Sequence, residues 1–350
     1  MARNKKKKKR KSFIKSFVKF ICILIILALI TIIVLVITDP LGIKKIPENK
    51  FSTTDKNLNI SSKVNFDEDI INIALIGADN LEQASQRSDT IVIMSYNTKT
   101  GRMALTSVMR DLLVYIPDKN KYDKINASYS YGGAQLLLKT LNNNFDLNIK
   151  HYITVDFKAM EKLVDAVGGV NINVKSEEIK YINQAIREQN RELGGELKYL
   201  EKSGNQKLNG RQALAYSRIR KVGNADWERT SRQRTVINAI ISKVRNEMSI
   251  KMFISLAKNA APYVKTNIST KTMFSLMTSY IKHKDTFVIE DFRLPYDYHA
   301  LDEYYNGIYY LKPNTLKDNV TLLHQYIFGI DSYEPTGTVK EISNYIQYNH

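Results

Sequence analysis

Ile21 to Ile37 is almost pure Ile, Leu, Val and Ala, interrupted only by Cys22 and Thr31. With Phe20 and Thr38 the run reaches the roughly 20 residues that a helix needs to cross a bilayer. Ten Lys/Arg and no acid precede it, between Met1 and Lys19. The positive-inside rule therefore places residues 1–19 in the cytoplasm and everything after Asp39 outside. A cleaved signal peptide would show a shorter apolar core and a small-x-small site. This run is long and ends Ile37-Thr-Asp-Pro40, which favours an uncleaved signal anchor over residues 20–38. The expected location is the cell membrane, single-pass, with the folded part extracytoplasmic.

The net charge of +17 is concentrated in that tail, so the high isoelectric point says little about the domain beyond it. The lysine run fits a topology and lipid-headgroup signal better than a nucleic-acid arm. The single cysteine excludes a disulfide framework and a thiolate zinc site. Residues 39–66 are polar and without period, and read as a tether.

From residue 67 to about 330, strand and helix patterns interleave. Strands are expected at Ile70–Ile76, Thr90–Tyr96, Arg102–Met109, His151–Val155, Val170–Val174, Thr286–Leu294 and Gly307–Leu311. Helices are expected from Gly133 to Phe145, then at Phe157–Val167, Ile179–Arg191, Asn209–Tyr216, Trp227–Arg245, Met252–Ala260, Thr270–Ile281 and Leu316–Phe328. Such alternation implies an α/β fold, an α/β/α layered sandwich about a mixed β-sheet, behind one transmembrane helix. Residues 331–350 look like a loose tail.

One stretch, Tyr216 to Arg234, carries six cations (Arg218, Arg220, Lys221, Arg229, Arg232, Arg234) against two acids, Asp226 and Glu228. Arg218 and Arg220 share a face if the chain is extended there. Gly223-Asn224 breaks the run, and Asp226 is placed to cap a new helix. On that helix Asp226, Arg229 and Gln233 fall on one side. Guanidinium forks beside a helix N-terminus suit phosphate or pyrophosphate. A second cluster lies at strand ends: Gly77-Ala-Asp79-Asn80, Arg87-Ser-Asp89-Thr90 and Val108-Met-Arg110-Asp111. If the first two strands are neighbours, Asp79 and Asp89 reach one divalent ion, and Mg²⁺ (or Mn²⁺) is commonly held by two carboxylates plus phosphate oxygens.

Acids and arginines together outside a membrane point to metal-assisted phosphoryl chemistry. No P-loop or Gly-x-Gly-x-x-Gly is present, so the energy for transfer must already lie in the substrate. A lipid-linked pyrophosphate satisfies this. The five histidines form no motif, which argues against a hydrolase triad.

These residues resemble a known family. Leu75-Ile-Gly-Ala-Asp79, Arg87-Ser-Asp-Thr90, Ser107-Val-Met-Arg-Asp111, Lys124-Ile-Asn-Ala-Ser-Tyr-Ser-Tyr-Gly-Gly133, Val164-Asp-Ala-Val-Gly-Gly-Val170, the stretch from Leu208 to Arg220 and Asp226-x-x-Arg-x-x-Arg-Gln-Arg234 are similar to LytR-CpsA-Psr proteins. Phe292-Arg-Leu-Pro295 and Leu323 to Gly329 match the family's C-terminal part. The chain departs from the pattern at Asn80-Leu81 and at Val108-Met109. The resemblance implies a Mg²⁺-assisted phosphotransferase that moves an anionic glycopolymer, such as wall teichoic acid or capsule, from undecaprenyl pyrophosphate to peptidoglycan in Gram-positive bacteria. It implies Asp79 and Asp89 as metal ligands, and Arg87, Arg110, Arg218, Arg220 and Arg229 as pyrophosphate ligands with Gln233 beside them and Lys124 added to that set. Asp226 matches an acid near the phosphates; Lys124 and Asn126 lie in a matched motif. Arg110, Asp79 and Asp226 are the expected catalytic groups, and either Asp79 or Asp226 would serve as base. Two other readings stand beside it: a non-enzymatic regulator that senses lipid-linked precursors, and a polyprenyl pyrophosphatase. Nucleic acid is not an expected partner.

Overall fold

The computed structural model describes residues 44–45, 51–78, 88–155, 157–194, 196–219, 221–222, 225–247, 264–283, 288–296 and 300–349. The basic tail, the expected signal anchor, and the helix expected at 252–260 lie outside these residues. Among the described residues no helix is long and apolar enough to cross a membrane. The chain divides into residues 1–42 and 43–350, and all of the described residues belong to the second unit.

Three consecutive strands form an antiparallel meander: β2 (Ile70–Ala78), β3 (Ser88–Asn97) and β4 (Arg102–Val108). Around them a seven-stranded mixed sheet is completed by β1 (Lys44–Lys45), β7 (His151–Val155), β10 (Val264–Thr266) and β11 (Val288–Leu294), in the order β1-β10-β7-β2-β3-β4-β11. β7 pairs parallel with β2, and β11 parallel with β4. The period-2 alternation of these strands divides two faces. One carries Ala74, Ile76, Ile91, Ile93, Val108, Phe292 and Leu294 into a core with helices α1 (Ile125–Phe145), α7 (Leu316–Phe328) and α8 (Gly337–Asn349). On the other side, α2 (Phe157–Ala166), α3 (Ser176–Leu193), α4 (Gly210–Arg218) and α5 (Ala225–Glu247) build a second core with the hairpin β8–β9 (Val170–Val174, Gly204–Leu208). β8 is buried at Val170, Ile172 and Val174 and exposed between, the pattern of a strand with one wet face. A further hairpin, β5–β6 (Leu113–Ile116, Lys121–Lys124), packs Leu113, Val114 and Ile116 into the first core, and the hairpin β12–β13 (Ala300–Tyr305, Ile308–Pro313) and helix α6 (Thr270–His283) complete the described strands and α-helices.

Three expectations change. The tether is shorter, because Phe51 and Leu58 are buried and Phe51 packs on Tyr152 with ring centroids 5.0 Å apart. The C-terminal tail is helix α8, and Val339, Ile342 and Ile346 are buried in the first core. Asp146, in the left-handed region at φ 51°, ties it down by accepting from Thr336 N and Tyr333 Oη. Finally, α1 does not start after Gly133 but at Ile125, and the glycines kink it, with Gly133 at φ 61°, ψ −154°.

The Leu208–Arg220 motif is scaffold before it is site. Asn209 and Gln212 cap α4 reciprocally, each side chain 2.9 Å from the other's backbone N–H. Arg211 then grips Glu161 of α2 through Nε and Nη2, at 2.7 and 3.1 Å. Between them Gly210 lets the helices touch: a Cβ there would lie 2.1 Å from Glu161 O. Gly210→Ala is therefore expected to force the α2–α4 contact apart and cost about 1–3 kcal/mol or more. Urea unfolding measures it, and an unchanged midpoint would refute the contact as drawn.

Candidate functional site

The C-terminal ends of β2, β4, β7 and β11 and the start of β3 share one edge of the sheet, the position where α/β sheets collect ligands. Asp79 and Arg87 lie outside the described residues, as does Arg220. Asp79 follows directly on Ala78, the last residue of β2. Gly77 pairs with Thr90 and Ala78 with Ser88, so Asp89 is the extra residue of a β-bulge. Bulges of this kind redirect a strand end beside a site. The register sets Ala78, the residue before Asp79, beside the bulge that carries Asp89.

Beneath that edge, between the sheet and helices α2 to α5, runs a cavity of about 660 Å³. Its floor is Leu75, Val92, Met94 and Ile153 of the sheet, with Gly77 and Thr90 nearer the edge. Arg218, Ser217 and Glu188 contribute from α4 and α3. Helix α5 contributes Arg229, Gln233, Ile237 and Ile240. These fall on one stripe of α5, which grades from guanidinium through amide to aliphatic over about 16 Å of axis. Arg218 is exposed and Arg229 is buried at 4% exposure. Of the expected pyrophosphate ligands, the fold therefore gathers Arg218, Arg229 and Gln233 on one cavity.

Two details of this stretch differ from expectation. Arg218 is the last residue of α4 rather than part of an extended segment; the chain becomes extended only at Ile219. Helix α5 starts at Ala225, so Asp226 sits in its first turn rather than at the cap. The remaining arginines have other work. Arg232 is 2% exposed; its Nε lies 2.7 Å from Glu178 Oε1, and its Nη atoms donate to Ile219 O and Val222 O at 3.3 and 3.2 Å. It thereby holds the connection between α4 and α5. Arg234 Nη1 donates to Phe292 O at 3.1 Å.

Arg110 and Lys124 form a second group, on the same edge but not among the cavity's lining residues. Asp111 joins them: Arg110 Nε reaches Oδ2 at 3.1 Å and Lys124 Nζ reaches Oδ1 at 2.8 Å. Lys124 Nζ also stands 5.6 Å from the ring centroids of Tyr309 and Tyr310, within cation–π range of both. Asn126 N donates to Arg110 O, and the buried Asn126 Oδ1 has no hydrogen-bond partner among the described residues. No described histidine lines the cavity. His324 is buried, 3.0 Å from Phe145 O and stacked on Tyr333. Burial, followed by Lys150, lowers the His151 pKa.

The apolar lining was not separable from core in the sequence, since Val92, Met94 and Ile153 read as any buried strand does. No group of three or more His, Cys, Asp or Glu side chains able to hold a metal occurs among the described residues.

Comparison with known proteins fits this geometry. Residues 43–324 match the profile of the LytR_cpsA_psr family. The polyisoprenyl-teichoic acid–peptidoglycan teichoic acid transferase TagU of Bacillus licheniformis is 31% identical over 263 residues, 73% of this chain and 79% of the relative. Regulatory protein MsrR of Staphylococcus aureus is 32% identical over 212 residues, 60% of each. The structure of TagT bound to LI-WTA superposes with a TM-score of 0.60 at 27% identity, covering 80% of this chain and 99% of that one. A LytR-CPS2A-psr family protein, YwtF (TagT), with bound octaprenyl pyrophosphate lipid gives 0.56 at 26% identity, covering 80% and 99%. With a profile match that runs from β1 into α7 and relatives aligned over most of its length, this chain belongs to the LytR-CpsA-Psr family.

Proposed function

We propose that the chain is a phosphotransferase that moves an anionic glycopolymer from a polyprenyl pyrophosphate carrier to peptidoglycan. The observation that carries this is the graded cavity: cations and an amide at one end of the α5 stripe, aliphatic side chains along the rest. Such a site complements an amphiphile with one diphosphate head and a long apolar tail. The names of the relatives, a teichoic acid transferase and a fold with bound octaprenyl pyrophosphate lipid, support the same reading.

In this scheme a peptidoglycan hydroxyl, expected to be the C6 hydroxyl of N-acetylmuramic acid, attacks the sugar-side phosphorus. The new bond joins acceptor oxygen to that phosphorus. The bond to the bridging oxygen breaks, and undecaprenyl phosphate leaves with the electron pair. Asp79 or Asp226 takes the hydroxyl proton. Arg218, Arg229 and Gln233, with Arg87, Arg110 and Arg220, bind the diphosphate oxygens and stabilise charge that grows on them. Lys124 orients Asp111 and through it Arg110. Asp79 and Asp89 would hold Mg²⁺, which supplies further charge neutralisation on those oxygens. An anchor over residues 20–38 keeps the domain beside its lipid substrate at the outer face of the membrane.

The test is to purify the full chain from membranes, identify bound lipid by mass spectrometry, and follow polyprenyl phosphate release with and without glycan acceptor. Acceptor-dependent release is expected. Retention of intact lipid through repeated incubation would instead favour a sensor, as the name of the MsrR relative suggests. Release that ignores the acceptor would make it a pyrophosphatase.

A further inference from the structure

Hairpin β12–β13 turns large apolar side chains to solvent about its tip: Tyr304 is 74% exposed, Tyr305 52% and Ile308 50%. Apolar groups exposed together on one element mark an interaction site. The hairpin is nevertheless firmly built. Asn306 and Gly307 both take positive φ, 50° and 75°, as the two central residues of a type I′ turn do. Cross-strand pairing puts Asp302, Tyr304 and Tyr309 on one face. There the rings of Tyr304 and Tyr309 meet edge to face with centroids 5.6 Å apart, and Tyr309 Oη donates to Asp302 Oδ1 at 2.7 Å. The tyrosine platform is in place before any partner arrives.

Its base is tied to the site. Leu311 N donates to Asp111 O at 2.9 Å, and Leu311 forms a parallel bridge with Leu112. Parallel pairing sets Tyr309 and Tyr310 on the side of the bridge where Arg110 and Asp111 lie. Lys124 Nζ joins the two segments, 2.8 Å from Asp111 Oδ1 and 5.6 Å from both tyrosine ring centroids. The end of β4, two residues before Arg110, is in turn two strand spacings, about 10 Å, from the end of β2 that lines the cavity. Cavity, Arg110 and platform thus follow one another along one edge.

The chemistry of the platform selects its occupant. Residues 300–313 hold two acids, Asp302 and Glu303, against one cation, Lys312. That balance disfavours both an anionic bilayer surface and the anionic polymer of the donor. Tyrosine rings beside a carboxylate and the Asn306 amide suit a neutral sugar, whose C–H face packs on a ring while its hydroxyl and N-acetyl groups take the hydrogen bonds. With the donor lipid in the cavity, the substrate that must arrive from outside is the acceptor.

We propose that hairpin β12–β13 is the acceptor subsite, which binds the N-acetylhexosamine backbone of a glycan strand with Tyr304 as its principal stacking face. This rests on the phosphotransferase reading. No bond forms or breaks at the hairpin; it supplies affinity, and it holds the strand so that a hydroxyl farther along reaches the diphosphate beside Arg110.

Two measurements on the full chain in detergent test it: binding of neutral N-acetylhexosamine oligosaccharides without donor, and transfer from a lipid pyrophosphate donor at varied glycan concentration. Tyr304→Ala is expected to weaken oligosaccharide binding and to raise the acceptor KM by about three- to tenfold, with kcat and donor affinity within about twofold. Tyr304→Trp keeps a stacking face and should recover most of the loss, which a merely structural role would not allow. Oligosaccharide affinity and acceptor KM that ignore Tyr304→Ala would overturn the subsite, as would an equal loss of donor affinity. So would a defect confined to donor in phosphatidylglycerol vesicles, which would make the hairpin a bilayer contact, or lost self-association in sedimentation, which would make it a contact between copies. The two readings fail separately. Tyr304-dependent oligosaccharide binding without any transfer sinks the phosphotransferase and leaves the glycan site standing; normal transfer indifferent to Tyr304 sinks the subsite alone.

Discussion

Arg218→Ala is expected to lower polymer transfer by about 10²–10³-fold while leaving thermal stability unchanged. The side chain is exposed at the end of α4, on the cavity, so removing it leaves no void in the core. On the proposed function, what is lost is a guanidinium that binds charge growing on the phosphate oxygens as the bridging bond breaks. Such a donor acts more strongly on the transition state than on the bound lipid, so the rate constant falls further than lipid affinity. Arg218→Lys should recover little, since an ammonium lacks the planar fork that matches two phosphate oxygens. Single-turnover transfer with a lipid pyrophosphate donor, beside a thermal melt, provides the comparison. A folded Ala variant that turns over at the normal rate would remove the diphosphate from this end of the cavity.

The second large effect concerns stability. Arg232 and Glu178 are each 2% exposed and meet at 2.7 Å. Truncating either leaves the other charge buried, and Arg232→Ala or Glu178→Ala is expected to cost about 3–5 kcal/mol in urea unfolding. Replacing both, as Glu178→Leu with Arg232→Met, should restore most of that stability, because well-packed apolar pairs substitute for buried ion pairs with little net change. The double variant should still transfer poorly. Arg232 also donates to Ile219 O and Val222 O, on either side of Arg220, and methionine cannot. Recovery of stability without recovery of activity would identify Arg232 as the tie that shapes the α4–α5 connection. A single variant that unfolds at the ordinary denaturant midpoint would show that the pair is not buried as described.

Much of the architecture could be read without coordinates because it rests on local periodicity. The apolar run Ile70–Ile76, the alternation in Val170–Val174 and the stripe of Trp227–Arg245 are short-range signals, and each corresponds to an element within a few residues. Terminal segments were less legible. Phe51 and Leu58, and Val339, Ile342 and Ile346, are too sparse in polar surroundings to announce burial, yet each fits a gap in the first core. Within α1, Gly132-Gly133 reads as a helix boundary and both glycines do leave the helical region; what the pattern did not announce is the helical segment from Ile125 that precedes them.

The sequence alone determined that cations cluster between Arg218 and Arg234, that α5 carries Arg229 and Gln233 on one side, and that the chain carries the LytR-CpsA-Psr motifs. Tertiary structure alone decided what each arginine does: Arg218 and Arg229 on the cavity, Arg232 in a buried pair with a carboxylate 54 positions away, Arg234 on the carbonyl of Phe292. It also decided which aliphatic residues line a cavity and which fill a core. The physical reason is that spacing along a chain fixes which side chains share a face, whereas the partner of a charge and the emptiness beside an aliphatic group depend on elements far apart in the chain that meet only when it folds.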